Sequence, residues 1–123
     1  MRASTAAARA AIGLTVFLAS ALAGCAAGSD DPRGSRDPDA VGTVAAVDTS
    51  GGGVSVGFIP DPGYEYFAGT IFAFDADGDL ESASGEAAGP GDVAVGDRIE
   101  VWVEACAESF PVQCADPVGR LLP

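Results

Sequence analysis

The sequence contains no lysine and no histidine, and six arginines stand against 18 aspartates and glutamates. Without histidine or lysine, the most common general base and the amine that forms Schiff bases are both missing. The sequence therefore predicts a protein without enzymatic activity. The formal net charge of −12 repels a phosphate backbone, so we also expect no nucleic-acid partner. Solubility is the simplest explanation for such a charge.

The N-terminus lacks an apolar run long enough to span a bilayer comfortably, but it has the pattern of a secretory signal. Two arginines precede a short apolar stretch that ends in Leu22, two small residues and Cys25. This ending looks like a bacterial lipobox, whose cysteine receives diacylglycerol before the chain is cleaved in front of it. The sequence thus predicts a signal peptide over residues 1–24 and lipidation of Cys25. An ordinary secretory signal with an incidental cysteine is the alternative.

Lipidation would determine where the mature protein resides. Cleavage leaves four arginines against 18 carboxylates, a formal net charge of −14, which repels anionic lipid head groups. Two acyl chains of the palmitate type hold a protein stably on a membrane, whereas one chain binds only marginally. We therefore expect a lipoprotein on the outer, extracytoplasmic face of the cell membrane, attached through its lipid alone.

The sequence has three cysteines, and lipidation of one of them would leave two that could pair with each other. Of the three, Cys25 is assigned to the lipid, which leaves Cys106 and Cys114. Outside the cytoplasm such a pair predicts a disulfide, and closing so short a loop stabilises a fold by roughly 2.5 kcal/mol in the chain-entropy model. A zinc site is the alternative, but it needs further soft ligands, and histidine is absent.

The mature chain divides into a tether and one small β-domain. Residues 25–40 are small, charged and proline-containing, which predicts a lipidated flexible tether, and residues 41–123 show no helical periodicity. Short β-branched and aromatic runs separated by glycine-containing turns indicate an all-β domain, a small closed or partly open antiparallel barrel of five strands. The predicted strands are 41–48, 54–59, 64–74, 95–105 and one within 112–122.

Three segments, VGTVAAVD, VGDRIEVWVE and ESFPVQCADPVGRL, resemble a family of small Gram-positive lipoproteins. The most specific part of the resemblance is a strand of the type G-D-x-V-x-V-W, followed by a segment of the type E-S-Y-P-x-Q-x-A. The resemblance implies an OB-like (oligonucleotide/oligosaccharide-binding) barrel and no established reaction. The residues that carry it are Gly96, Asp97, Val101, Trp102, Glu108, Ser109, Pro111, Gln113 and Ala115.

An acidic segment offers a candidate metal site, the one cofactor that we consider. Asp75, Asp77, Asp79 and Glu86 have the spacing of positions 1, 3, 5 and 12 of an EF-hand loop, and carboxylate oxygens suit Ca²⁺. The glycine is at position 4 instead of 6, however, and no flanking helices are predicted. The alternative is an Asp-Gly hairpin turn with solvated carboxylates.

Trp102 is the candidate ligand-binding residue. It lies between Glu100 and Glu104 on the strand with the clearest alternation, where an exposed ring would stack on a sugar or a cationic ligand. The alternative is that it packs beneath the loop 106–114. We expect five other aromatic residues to be core or barrel-wall residues. These are Tyr64, Tyr66, Phe67, Phe72 and Phe74.

These observations favour a membrane-anchored, non-enzymatic β-module that binds or scaffolds an unidentified envelope protein or glycan. The first alternative is a calcium- or small-ligand-binding lipoprotein that uses the acidic loop 75–86. The second is a hydrolase that uses paired carboxylates, for which so small a domain leaves little room.

Overall fold

The computed structural model describes residues 31–123, in which short β-strands alternate with turns and loops. The predicted signal peptide, Cys25 and residues 26–30 lie outside the described residues. Each helical turn of the described part is three residues long, so the all-β prediction is confirmed. The strands are β1 (Ala40–Asp48), β2 (Val54–Pro60), β3 (Ile71–Phe74), β4 (Leu80–Glu81), β5 (Arg98–Trp102), β6 (Ala105–Ala107), β7 (Gln113–Ala115) and β8 (Val118–Leu121). The 3₁₀ turns are Pro32–Gly34, Glu65–Phe67 and Pro90–Asp92.

Within residues 31–123, no helix has the length and apolar character needed to cross a membrane.

Six strands form one sheet, in the order β3-β2-β1-β5-β8-β4, and β6 and β7 form a separate hairpin. All neighbours are antiparallel except β4 and β8, which run parallel. The edge strands β3 and β4 are joined by the turn 75–79 but share no ladder of hydrogen bonds, so the sheet is open. The prediction of a closed or partly open five-stranded antiparallel barrel is therefore wrong in its strand number and in the direction of one pair, and its closed form is excluded.

The predicted third strand, 64–74, accounts for much of this difference. Its first half contains the 3₁₀ turn Glu65–Phe67, and Gly69 has φ +79°, a backbone conformation that favours glycine and interrupts a strand. Only Ile71–Phe74 remains extended and pairs with β2. The chain then turns and reaches the opposite edge of the sheet, where Leu80 and Glu81 pair with β8.

The core lies on one face of the strongly curved sheet. Phe72 is 1 % exposed, and its ring packs edge-on against Phe58 with the ring centroids 5.2 Å apart. Phe67 and Phe74 are also buried, as predicted, but Tyr64 is only half-buried and Tyr66 is 51 % exposed. These two tyrosines are not core residues, because the 3₁₀ turn buries Phe67 and leaves its neighbour at the surface.

Close packing between β1 and β2 requires a glycine at position 42. A Cβ atom at Gly42 would collide with the Ile59 carbonyl oxygen and lie 2.7 Å from the Phe58 ring. We therefore expect Gly42→Ala to lower the free energy of unfolding by about 1–3 kcal/mol, the usual range for overpacking. Urea unfolding of the purified protein measures this. Gly51→Ala is the matched control, because nothing lies within 4 Å of the added atom. Equal losses in the two variants would contradict the packing argument.

Candidate functional site

The hairpin β6–β7 is closed by a disulfide between Cys106 and Cys114, as the sequence predicts. The two cysteines are directly opposite each other in the register of the hairpin. Both side chains are half-buried and pack against the hydrophobic core. The disulfide thus gives a rigid base to a loop that would otherwise have only a short ladder of hydrogen bonds.

Two side chains from the segment before β3 attach this hairpin to the domain. The buried Thr70 donates a hydrogen bond from Oγ1 to the Val112 carbonyl oxygen at 3.2 Å. The Tyr66 hydroxyl donates to Glu108 at 3.1 Å, and the carboxylate raises the pKa of this tyrosine. Val112 itself is 5 % exposed and belongs to the core. The hairpin is therefore fixed beside β3.

Between β3 and the hairpin lies a hollow of about 330 Å³, which we call the hairpin groove. Ile71 is 65 % exposed on its β3 side, and Phe110, which precedes the lining residue Pro111, is 94 % exposed. Ile59 lies on the same face of the sheet as Ile71. Gly57 pairs with Ile71, and residues two positions apart in a strand, such as Gly57 and Ile59, lie on one face. The lining residues of the hairpin groove are Gly69, Ile71, Ala73, Pro111, Val112, Gln113 and Cys114.

A second hollow adjoins the hairpin groove at Ala73, which lines both. It has a volume of about 290 Å³, and its lining includes the carboxylates of Asp75, Asp79 and Asp116. We call it the acidic hollow. An apolar concavity and an acidic one therefore lie side by side along β3, with a combined size typical of small binding sites.

Arginine side chains balance little of the charge of the acidic hollow, where only Asp79 feels the nearby charge of Arg33. Every arginine in the described part of the chain forms an ion pair elsewhere, and none of these pairs includes a carboxylate of the acidic hollow. Since the chain has no lysine or histidine and the described arginines form their ion pairs elsewhere, a basic group of a partner would complement this hollow. The pairs are Arg33 with Asp31 and Glu81, Arg36 with Asp39, Arg98 with Asp61, and Arg120 with Glu81 and Glu100.

The predicted calcium ligands do not come together. Asp75, Asp77 and Asp79 belong to the turn between β3 and β4, where Asp79 Oδ2 accepts a hydrogen bond from the Ala76 amide at 3.0 Å. Glu86 belongs to a different turn, beyond β4. No group of three or more histidine, cysteine, aspartate or glutamate residues within 31–123 is placed to hold a metal ion. In the structure, the EF-hand spacing therefore does not gather its four carboxylates around one point, because β4 separates its two halves.

Trp102, the predicted ligand-binding residue, is 2 % exposed. Its Nε1 donates a hydrogen bond to the Arg36 carbonyl oxygen at 2.8 Å, and the Arg120 guanidinium carbon lies 5.4 Å from its ring centroid. The bond to Arg36 shows that the segment before β1 packs on this residue. The ring thus has no face open to a ligand in the structure.

Residues 31–39, which cover Trp102, are packed on the domain, although the sequence predicts a flexible tether over 25–40. We call them the N-terminal clasp. The Arg33 side chain is 8 % exposed, and its guanidinium donates hydrogen bonds to the carbonyl oxygens of Gly78, Asp79 and Gly119 at 2.8, 3.1 and 2.9 Å. The same group donates to the Asp31 carboxylate at 2.8 Å. All sides of this guanidinium therefore have acceptors, as burial of an arginine requires.

The second half of the N-terminal clasp binds the end of β5. Asp39 accepts a hydrogen bond from the Val103 amide at 2.8 Å, and its own amide donates to the Val101 carbonyl oxygen at 2.9 Å. The Arg36 guanidinium donates to the Val103 carbonyl oxygen at 3.1 Å and to the Asp39 carboxylate at 2.9 Å. These bonds join the clasp to the central part of the sheet through backbone groups.

Acid should open the N-terminal clasp. The hydrogen bonds from Arg33, helped by the charge of Arg120, lower the pKa of Asp31 from 3.8 to about 2, against the opposing burial. Because this pKa is lowered in the folded state, the ionised Asp31 stabilises the fold fully above its unfolded pKa of 3.8. This stabilisation is lost as the pH falls from 3.8 to about 2. We expect the emission of Trp102 to shift to longer wavelength over this interval as the clasp uncovers its ring.

The control for this titration is Asp31→Asn, which keeps the shape of the side chain but removes its charge. Asp61 also has a lowered pKa, through its hydrogen bond with Arg98, and this interaction is the same in both proteins. The difference between the two emission curves therefore reports Asp31 alone. Identical curves would contradict the assignment.

No known protein family, curated protein sequence or solved structure matches this chain. The resemblance to small Gram-positive lipoproteins therefore stays a prediction, and the geometry of the described residues carries the functional argument.

Proposed function

We propose that this protein is a lipid-anchored binding protein of the extracytoplasmic membrane face, and that the hairpin groove is its binding surface. The observation that carries the proposal is the exposure of Ile71, which lines the concavity, and of Phe110, which precedes the lining residue Pro111. Large apolar side chains gathered around one hollow are typical of interaction sites, whereas scattered ones are not informative. The disulfide that closes the hairpin, and the hydrogen bond from Thr70 that attaches it to the domain, support a preformed site.

The order of the strands favours the same surface. If β3 and β4 are taken as two parts of one interrupted strand, the principal strands follow the OB-like order, with the sheet left open. The hairpin β6–β7 then occupies the loop between the fourth and fifth principal strands. In OB-folds this loop and the face of the second and third strands bind ligands.

The charge of the site defines the chemistry of its partner. The acidic hollow adjoins the hairpin groove, and the ion pairs of the described arginines involve carboxylates outside it. A polypeptide segment that carries an apolar side chain next to a basic one satisfies both hollows, since opposite charges on a partner favour encounter and register. We propose such a segment of an envelope protein as the occupant. The role is non-catalytic, in line with a chain that has no histidine or lysine.

The lipid anchor is proposed from the sequence. Leu22, two small residues and Cys25 end a short apolar stretch that has no acidic residue before it. A diacylglyceryl group on Cys25 supplies two acyl chains, which is enough for stable attachment. This localisation brings the hairpin groove to proteins of the cell envelope.

Site-specific photocrosslinking in intact cells tests the groove. A photoreactive phenylalanine analogue replaces Phe110, which is 94 % exposed beside the groove, or Val95, which is 64 % exposed and does not line it. We expect a discrete protein adduct from position 110 and none from position 95. Equal adducts from both positions, or none from position 110, would argue against the groove. An adduct that glycosidase treatment removes would indicate a glycan instead.

A further inference from the structure

We infer that the partner segment binds as an added β-strand, antiparallel to β3, and that it carries a basic residue four positions before an apolar one. The inference rests on the proposed function, because the hairpin groove and the acidic hollow are the same binding surface. It adds the binding mode, the chain direction and the spacing of the residues that are recognised.

The hydrogen bonds of β2 determine which backbone groups of its neighbour β3 face outward. The Asp61 amide donates to the Val41 carbonyl oxygen at 2.9 Å, which continues the register of β1 and β2 by one residue pair. Hydrogen-bonded pairs alternate along an antiparallel ladder, so the odd-numbered residues of β2 bond to β1. The even-numbered residues, which include Val54 and Val56, therefore bond to β3.

The outer edge of β3 consequently has free backbone groups. Phe74 and Phe72 are opposite Val54 and Val56 and bond to β2. The amides and carbonyl oxygens of the two residues between and beside them, Ile71 and Ala73, point away from the sheet. Within residues 31–123, these groups have no hydrogen-bond partner, and both residues line the hairpin groove.

The opposite edge of the sheet does not offer the same groups. There Glu81 forms an isolated antiparallel bridge with Ala87, and the Leu80 carbonyl oxygen accepts a hydrogen bond from the Ala88 amide at 2.8 Å. The segment after β4 thus covers the outer side of that strand. The edge of β3 is therefore the one on which a further strand would find open hydrogen-bonding positions.

The side chains along β3 add specificity to these backbone positions. Ile71, Ala73 and Asp75 are each two positions apart, so they lie on one face of the extended chain. Ile71 lines the hairpin groove, Asp75 lines the acidic hollow and Ala73 lines both. This is the arrangement used in β-strand addition, where main-chain hydrogen bonds give affinity and hollows for alternate side chains give specificity.

The direction of the added strand fixes the order of its side chains. Antiparallel pairing is the more stable form per residue, and the edge of β3 is open to it. The partner residue opposite Asp75 then precedes the one opposite Ile71, which lies four positions away. The residue midway between them faces Ala73, whose small side chain leaves room for a larger one. The recognised pattern is therefore basic-x-x-x-apolar.

Charge identifies a basic segment as the occupant. Within the described part of the chain, the carboxylates of Asp75, Asp79 and Asp116 form no ion pair with an arginine. A second copy of this chain has a formal net charge of −12 and would be repelled. A basic side chain of a different polypeptide would instead complement the acidic hollow.

Short peptides test the direction of binding. The intact mature protein is isolated from cells in a zwitterionic detergent and titrated with the blocked peptide Arg-Thr-Val-Thr-Leu or with its reverse, Leu-Thr-Val-Thr-Arg. We expect the first peptide to shift the NMR signals of the Ile71, Ala73 and Gln113 amides. The reverse peptide should bind about two- to fivefold more weakly, because it loses the equivalent of one exposed ion pair. Equal affinities would overturn the proposed direction.

N-methylated peptides test the backbone hydrogen bonds on the unaltered protein. A methyl group on the valine nitrogen removes the amide that would donate to the Ala73 carbonyl oxygen. A methyl group on the first threonine changes an amide that points away from β3 and is the matched control. We expect the first change to weaken binding by about 5- to 100-fold, the cost of a buried acceptor without a partner, and the control to have little effect. Equal effects would refute strand addition.

A proline in the edge strand tests the same contact from the side of the protein. Ala73→Pro removes an amide that points away from β2, and proline is tolerated at such edge positions. We expect this variant to keep its cooperative thermal unfolding and to lose the peptide. A folded Ala73→Pro protein with wild-type affinity would contradict the inference.

The position of the basic side chain is tested by two neighbouring substitutions. Asp75→Asn should weaken binding of the forward peptide by about two- to fivefold, as expected for one exposed ion pair. Asp77→Asn is the matched control, since it removes the same charge from the same turn at a position that does not line the acidic hollow. Equal losses from the two variants would overturn the proposed register.

The failure of this inference differs from the failure of the proposed function. If the forward peptide does not bind at millimolar concentration but position 110 still gives its crosslink in cells, strand addition is refuted and the hairpin groove is retained. If position 110 gives no crosslink either, the groove is refuted as a binding surface, and the inference with it.

Discussion

Replacement of Cys25 by alanine is expected to abolish incorporation of labelled palmitate completely and to leave residues 1–24 on the chain. The reason is chemical, because the thiol is the acceptor of diacylglycerol and a lipobox is cleaved only after this transfer. The wild type should instead lose residues 1–24 and gain the mass of an acylated glyceryl group. Intact-mass spectrometry of the protein from membranes, together with palmitate labelling in growing cells, measures both effects.

The double variant Cys106→Ala, Cys114→Ala is the matched control for this experiment. It removes the disulfide, and its chain should incorporate palmitate at the wild-type level. An ordinary secretory signal would give a different result, in which Cys25→Ala is processed like the wild type and neither protein carries lipid. That result would refute the anchor and the localisation that follows from it.

Phe72→Ala is expected to cause the largest loss of stability among single substitutions in the described core, about 3–5 kcal/mol, the usual range for a buried phenylalanine. Phe72 is 1 % exposed and packs against Phe58 and Phe67, with ring centroids 5.2 and 5.9 Å apart. Its removal leaves a cavity between β2, β3 and the neighbouring turn. Because small domains are stable by only about 5–15 kcal/mol, urea or thermal unfolding should reveal a large shift.

Phe110→Ala supplies the control with the same chemical change at a surface position. Phe110 is 94 % exposed, so its loss should change the free energy of unfolding by less than about 0.5 kcal/mol. If the hairpin groove is a binding surface, this variant should nevertheless lose its partner. Comparable losses of stability from the two variants would contradict the core assigned here, and a Phe110→Ala protein that retains its partner would count against the groove.

The strands with a regular pattern were predictable from the sequence. β1 and β2 match the predicted segments to within one residue, and β5 lies inside its predicted segment, where apolar and polar residues alternate most clearly. The third predicted strand failed because its aromatic residues satisfy β-propensity, whereas the positive φ of Gly69 depends on how the chain is bent by its surroundings. β-propensity is a property of each residue, whereas the bend at Gly69 depends on the surrounding fold.

The sequence contains only a weak indication of the N-terminal clasp. Asp31 followed by Pro32 is a typical start of a helical turn, and the structure has Asp31 as the N-cap of a 3₁₀ turn with proline in its first position. The contacts of Arg33 were not predictable, since its acceptors lie 45 to 86 residues away in sequence. Composition alone therefore indicated a tether where the fold provides a packed segment.

The candidate site was also predictable only in part. The disulfide followed from the count of cysteines, but the four acidic residues of the EF-hand spacing are divided by β4, which is only two residues long and has no sequence signature. Trp102 was selected for its position between two glutamates, and the segment that covers it was assigned to the tether. The sequence does not identify Phe110 and Ile71 as exposed residues, because the exposure of an apolar side chain depends on the fold.

The open sheet has a consequence for a protein that, as we propose, is anchored on a membrane surface. Unpaired edges of β-sheets are templates on which copies of a protein join edge to edge, and short edge strands limit this self-association. Here the two edges are formed by β3, with four residues, and β4, with two. Each offers only a few free backbone groups, and carboxylates of the turn between them lie beside both. The division of one potential strand into two short pieces thus favours a dispersed population of single molecules over filaments.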